Sequence, residues 1–372
     1  MRMAVPLPAS FAGISWQVIL PLMALTLFGS AVLYSAAGGS MQPFAVSHLL
    51  RFGIFLVLAL IMSHLPRNWV QFAAYPSYGA VLVLLILVEA LGAIGGGSQR
   101  WLEVGPIRIQ PSELMKPAVV LVLASYFNAL PAGAVSAWRS LVPPAMLIAL
   151  PMGLVLMQPD LGTALAIAFG GTVMLFLAGL PGKWFVGGGV AGLIVAPIAF
   201  FFGLQEYQQR RVTTFMDPES DPLGAGYHIT QSKIAIGSGG IWGKGFGEGS
   251  QSHLNYLPEP HTDFVFATMA EEWGLAGGLV VLLIFGIVLR WGFSVAREAP
   301  DRFARLLAAG MTATIFFYAA VNLMMVMGLA PVVGIPLPFM SHGGSSMMTN
   351  MICVGTLMMV DRWSRQPASR RP

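Results

Sequence analysis

Residues 73–94 read AAYPSYGAVLVLLILVEALGAI, an apolar run with one ionisable side chain, Glu89. A helix rises about 1.5 Å per residue, so such a run crosses a hydrocarbon core about 30 Å thick. Similar runs lie on either side of it, near 16–36, 44–65, 113–130, 141–158, 161–180, 184–205, 263–291, 303–330 and 342–361. The chain of 372 residues is 56% hydrophobic and only 10% charged, where a soluble domain carries roughly 25% charged residues. The residues therefore predict an all-α polytopic membrane protein with about ten transmembrane helices, built as a single membrane domain over 1–372. Its 43 glycines and 26 prolines suit packed or broken transmembrane helices, because mean hydropathy stays at +0.73. The lone cysteine, Cys353, excludes an intrachain disulfide and a cysteine-based zinc site. The first run follows Arg2 and ends in Ser35-Ala36-Ala37-Gly38, like a signal peptide. With nine runs behind it, it reads as an uncleaved first span.

An even number of spans puts both termini on one side, and the basic residues choose it. With the termini inside, twelve Lys and Arg fall in cytoplasmic segments, whereas the short outer loops and their flanks hold Arg51, Arg100, Arg108 and Lys116. That asymmetry predicts cytoplasmic termini. It also accounts for the net charge of +4 without a nucleic-acid partner. Segment 206–262, between the seventh and eighth spans, carries ten of the chain's 36 charged residues. A connection this long is usually functional. Tyr227–Ile236 reads as a short amphipathic helix ended by Gly237, followed by glycine-rich turns. We expect a large, ordered, partly re-entrant extracytoplasmic loop.

Ionisable residues at membrane depth are costly and mark function unless they pair. Glu113 and Lys116 are three apart at the start of the fourth span, on one helix face. They make either a structural ion pair, with Ser112 as helix cap, or, with Arg100 and Arg108, a cationic patch for an anionic lipid headgroup or a pyrophosphate. Arg51 either snorkels to the surface or serves a site. Asp160, in Gln158-Pro159-Asp160-Leu161-Gly162-Thr163, suits a helix cap. Asp263 follows His261 and Thr262 where the long loop enters the eighth span. It is either another cap or a general base at the mouth of a membrane cavity, its pKa raised by desolvation. Gly237-Ser238-Gly239-Gly240 and Ser341-His342-Gly343-Gly344-Ser345-Ser346 permit close backbone approach, whether to cradle an anion or to turn the chain. No phosphate-binding loop of the Walker type, HExxH or GxSxG motif occurs in the sequence.

These motifs together resemble the SEDS family (shape, elongation, division, sporulation). The resemblance rests on Gln99-Arg100-Trp101-Leu102, Gln110-Pro111-Ser112-Glu113, Gln158–Thr163, Asp217–His228, Gln231–Gly240, His261-Thr262-Asp263-Phe264, Glu271-Glu272-Trp273-Gly274 and Gly343-Gly344-Ser345-Ser346. Lys233 and Ile236 resemble the elongation branch more than the division branch, while His342 stands where many relatives carry Tyr. The resemblance implies a peptidoglycan glycosyltransferase of the bacterial inner membrane. It would polymerise lipid II, a disaccharide-pentapeptide on undecaprenyl pyrophosphate, into glycan strands. It also implies that Asp263 is the general base. Substrate contacts are expected from Lys116, Arg100, Arg108, Arg210, Arg211, Lys233, Gln110, Ser112, His261 and Thr262, with Glu113, Asp160 and Ser345 in support. A divalent cation, Mg or Mn, would suit a departing pyrophosphate, although the sequence shows no dedicated metal site. The partner implied is a class B penicillin-binding protein transpeptidase within the elongation machinery, its helix admitted around Gly274–Gly278 unless those glycines pack inside the bundle. Membrane lipids complete the partner set.

Two other readings fit the same composition: a flippase moving the precursor, and a non-enzymatic scaffold. The absence of an evident internal repeat counts against the first, and the polar cluster around Asp263 counts against the second. The topology is checked by cysteine labelling from outside the cell. Ser250→Cys should react and Pro300→Cys should not, and the reverse pattern would overturn it.

Overall fold

The computed structural model describes residues 15–365, apart from 96–97, 105–106, 132, 204–205, 222–223, 255 and 258. Helices run in the order α1 (Trp16–Ala36), α2 (Phe44–Met62), α3 (Arg67–Leu91), α4 (Pro111–Ala129), α5 (Trp138–Met157), α6 (Leu161–Leu177) and α7 (Gly182–Ile198). The long loop then forms α8 (Glu206–Met216), α9 (Ala225–Ser238) and the single turn α10 (Ser250–His253). The chain closes with α11 (Val265–Glu298), α12 (Arg302–Val326) and α13 (Gly344–Arg365). A helix thus stands at each of the ten apolar runs. Six of them, α1, α2, α3, α5, α11 and α12, are long and apolar enough to cross a membrane, and α6 and α7 are shorter apolar helices. The remaining two, α4 and α13, exchange apolar surface for buried polar residues such as Glu113, Lys116, Thr349 and Asn350.

Contacts between connections sort them onto two ends of the bundle. At one end Arg100 donates to the carbonyls of Gln158 and Pro159, Asn322 donates to those of Asp263 and Ile335, and the His342 amide donates to His261. At the other, Arg302 donates to the carbonyls of Leu130 and Ala178, Arg67 pairs with Asp301, and Trp363 donates to Leu65. The site residues collect at the first end.

The structure adds one local element and extends another. The connection after α3 is a small antiparallel sheet, β1 (Ala93–Gly95), β2 (Ser98–Val104) and β3 (Ile107–Ile109). Glu103 and Arg108 face each other across β2 and β3, with 2.7 Å between charges, a cross-strand pair that helps set the register. Strands of three residues are too short for their alternation to stand out in a sequence. The expected helix at 227–236 runs further, from Ala225 to Ser238, because Gly237 stays helical and Gly239 takes the cap position.

The largest local feature is a break in α11. Gly274 has φ 63° and ψ −161°, far from helical values. Segment 239–245 of the long loop enters the gap. The Leu275 amide donates to Gly240 at 2.9 Å and the Ala276 amide to Ile241 at 3.0 Å. In return, the Lys244 and Gly245 amides donate to the carbonyls of Glu271 and Glu272, at 3.0 and 3.1 Å. Irregular backbone at membrane depth is tolerated only when protein satisfies its polar groups, and these four bonds do so. Gly274, Gly277 and Gly278 are all buried, as packing within the bundle requires, while Leu275 between them is exposed. α7, in contrast, buries none of its residues against the bundle.

A β-carbon at Gly274 would lie 2.6 Å from the Ile241 carbonyl oxygen, at a φ that L-residues avoid. Gly274→Ala should therefore destabilise the protein by about 1–3 kcal/mol from the backbone conformation alone, with a further cost from the collision. Thermal unfolding of detergent-purified protein checks this, and an unchanged Tm would mean the break is not constrained as described.

Candidate active site

Asp263 sits in the turn that leads into α11. The helix begins at Val265 with Phe264 as its cap residue and no side-chain cap bond, so Asp263 is not a helix cap. Its main-chain carbonyl is held by Asn322 Nδ2 at 2.8 Å, and the same amide group donates to the Ile335 carbonyl at 2.7 Å. One side chain of α12 thereby fixes both the turn at 263 and the segment that follows α12. The Asp263 carboxylate faces Gly334, where a β-carbon would come within 3.5 Å of Oδ2. Burial raises the Asp263 pKa from 3.8 to about 6, Glu259 pushing it up further and the Arg211 cation pulling it down. A half-buried carboxyl poised near neutral pH suits proton transfer.

Around it, Glu259 Oε2 accepts a bond from Thr262 Oγ1 at 3.2 Å and lies 3.5 Å from His261 Nε2. The His261 ring stacks on Phe44 of α2 with centroids 4.0 Å apart. His342 meets the edge of Phe44, and its Nε2 lies 3.1 Å from Arg51 Nη1. Burial lowers the pKa of His261 against the pull of Glu259, and burial with the neighbouring Arg51 and His261 lowers that of His342 to about 4. Both rings are therefore neutral at pH 7. An apolar groove of about 430 Å³ opens beside the site, lined among others by Leu161, Phe169, Phe317, Val333 and Ile335, with Arg211 on its wall.

The remaining expected residues divide. Asp160 caps α6, its Oδ1 accepting from the Thr163 amide at 3.0 Å, while Gln110 Nε2 donates to its other oxygen, also at 3.0 Å. Ser112 is not the cap of α4: the helix starts at Pro111 with Gln110 in the cap position, and the Ser112 hydroxyl is buried inside the first turn. Proline at the first helical position moved the start one residue earlier. Lys116 is 3% exposed and bonds Glu113 at 2.6 Å and the Tyr318 hydroxyl at 2.7 Å; that hydroxyl in turn donates to Glu113. The three cations expected together are held differently: Lys116 is engaged inside the bundle, Arg100 donates to backbone carbonyls, and Arg108 pairs with Glu103 while staying exposed. Arg210 and Lys233 are exposed on α8 and α9, and Ser345 is buried in the first turn of α13. Among the described residues no group of three or more His, Cys, Asp or Glu is placed to hold a metal ion. Asn322, Gly334 and Tyr318 escaped the sequence reading. The signal for Asn322 was present, as an amide isolated in an apolar run.

Fold and sequence together place the chain in one class of membrane protein. The family model for the FtsW, RodA and SpoVE cell cycle proteins matches residues 12–366, and the chain belongs to that family. It is similar to the peptidoglycan glycosyltransferase MrdB of Escherichia coli K12, 42% identical over 357 residues that cover 92% of each chain. Stage V sporulation protein E of Bacillus subtilis is 36% identical over 362 residues, 94% of this chain and 96% of that protein. Among solved structures, a chain of a peptidoglycan synthase complex superposes with a TM-score of 0.82 at 33% identity, covering 95% of this chain and 99% of that one. The rod shape determining protein RodA of Thermus thermophilus superposes with a TM-score of 0.72 at 30% identity, covering 96% and 100%. The resemblance to the SEDS family is thereby borne out.

The raised pKa carries a sign. Folding favours protonated Asp263, so this residue's contribution to stability is complete below about pH 3.8 and is lost as pH rises through about 6. Catalysis by the carboxylate runs the other way and should rise with pH through the same value. Glu259→Gln removes a like charge, so the acid limb of the pH–rate profile should shift to lower pH. An unmoved limb would show that Asp263 titrates independently of Glu259.

Proposed function

We propose that this chain is a peptidoglycan glycosyltransferase that polymerises lipid II into glycan strands at the outer face of the bacterial inner membrane during cell elongation. The observation that carries the reading is Asp263: a carboxyl with pKa near 6, opposite Gly334 and within the field of Arg211, beside an apolar groove. The names borne by the relatives, peptidoglycan glycosyltransferase among them, support it.

In this reaction the acceptor sugar's hydroxyl oxygen attacks the donor's anomeric carbon. A carbon–oxygen bond forms there as the bond to the undecaprenyl pyrophosphate leaving group breaks. The hydroxyl proton passes to Asp263, a role typically worth 10²–10⁴-fold. Cations aimed at the leaving pyrophosphate stabilise its developing charge, and Arg211 is the one whose field acts on Asp263. Arg100, Arg108, Arg210 and Lys233 supply positive charge on the same end of the bundle, while Lys116 acts from within, holding α4 to α12 through Glu113 and Tyr318. The groove beside Arg211 suits a polyprenyl tail, which needs apolar walls and no polar partner.

A class B penicillin-binding protein is the proposed partner, and the likeness to a chain of a peptidoglycan synthase complex supports it. Both termini lie in the cytoplasm, in keeping with the distribution of Lys and Arg. Purified wild type should build glycan from labelled lipid II in detergent with the partner present. Asp263→Asn, nearly isosteric but unable to accept the proton, should bind the precursor and polymerise it at least about a hundredfold more slowly. Equal rates would remove Asp263 from the mechanism, and no polymer from wild type would favour a flippase.

A further inference from the structure

The buried charges of this bundle are nearly all matched. Lys116 has Glu113, and Glu271 has Lys244 at 2.6 Å, Ser250 and the Gln251 amide. Arg51 differs. It is half-buried in α2, and among the described residues no carboxylate lies within ion-pairing distance of it. Its recorded partner is the ring of His342, which is neutral at pH 7. An unmatched guanidinium at membrane depth is costly unless something anionic joins it.

The surroundings of Arg51 suit that anion. The first turn of α13 lies against it, a β-carbon on Gly344 falling 3.5 Å from Arg51 Nε. α13 is 22 residues long, and its first amides, free of intrahelical partners, present positive charge at this end. Ser345, in the same turn, is 5% exposed, and its hydroxyl has no partner among the described residues. A buried hydroxyl without a partner has a hydrogen bond still to make, and this one sits beside Arg51's helix contact. Gly343 and Gly344 leave the backbone open to close approach, the arrangement that binds phosphate at helix N-termini. This turn also adjoins the reaction site, because the His342 amide bonds the His261 carbonyl at 2.9 Å, two residues before Asp263.

We propose that Arg51 and the first turn of α13, Gly343 to Ser346, form a binding site for a phosphoryl group at the end of a lipid chain. Arg51 supplies the planar fork that matches phosphate oxygens, and Ser345 with the helix amides supplies the remaining donors. The inference deepens the glycosyltransferase reading and rests on it for the source of that phosphoryl group: the pyrophosphate of the polyprenyl donor, brought beside Asp263. Bulk anionic phospholipid is the other source of the same chemistry.

Binding is measured without turnover, on the full chain in detergent, with undecaprenyl pyrophosphate and phosphatidylglycerol as separate probes. Wild type and Asp263→Asn should bind undecaprenyl pyrophosphate alike. Arg51→Gln should bind it at least about tenfold more weakly, Ser345→Ala less severely, and Arg51→Lys between wild type and Arg51→Gln, because an ammonium keeps charge but not the fork. Weakening confined to the pyrophosphate probe assigns the site to the donor, and equal weakening of both probes assigns it to phospholipid. If Arg51→Gln does not fold, Arg51→Lys and Ser345→Ala carry the comparison. Binding unchanged in the folded variants overturns the proposal. A wild type that binds through Arg51 yet makes no glycan would leave this site standing and fail the glycosyltransferase reading.

Discussion

A helix broken inside a membrane must find new partners for the amides and carbonyls it releases, and in this protein the break in α11 at Gly274 finds them in its own long loop. Segment 239–245 supplies two carbonyls and takes two. That exchange welds the long loop to the bundle. Glycines at 239, 243 and 274 are needed because each backbone approaches another closely, and any β-carbon would strike a carbonyl or amide. The turn at 259–264 follows in the chain and carries Asp263 into the same helix. A loop rich in charge is thus made rigid by main-chain bonds, and the Asp263 carboxylate inherits that rigidity.

The charged interior follows the same accounting. Glu113, Lys116 and Tyr318 satisfy one another across α4 and α12, and Glu271 gathers a lysine, a hydroxyl and a backbone amide from the loop. Buried ion pairs add little net stability compared with apolar packing, but losing one member leaves a charge with no compensation. They act here as registers that fix which helix faces which. Asn322 does comparable work with neutral groups, holding two connections through one amide. Where this matching stops, at Asp263 and Arg51, the structure holds groups suited to a reacting or bound partner.

Much of this was legible in the order of residues. Each apolar run became a helix, because about 20 consecutive apolar side chains have no other stable form in lipid, where the backbone must bond within its own segment. Asp160 as a cap was readable from Gln158-Pro159-Asp160. Ser112 was not, since Pro111 could serve as the first helical residue and shift the start. The sheet at 93–109 was hidden because two of its three strands are only three residues long, too short to show a period. Asp263 stood open between cap and base on sequence alone, because both uses place an aspartate just before a helix.

Sequence by itself determined the positions of the ten apolar helices, the long loop before the eighth of them and the acids and bases at membrane depth, since these follow from local hydropathy and the cost of burying charge. Only the tertiary structure decided which charges are matched. Lys116, Arg100 and Arg108 looked like one patch because they are close in the chain, yet each found a different partner. Arg51 of α2 and the first turn of α13 at Gly344, nearly 300 residues apart in sequence, came together. The physical reason is that pairing depends on distance in space and on desolvation, and both are set by how the helices pack.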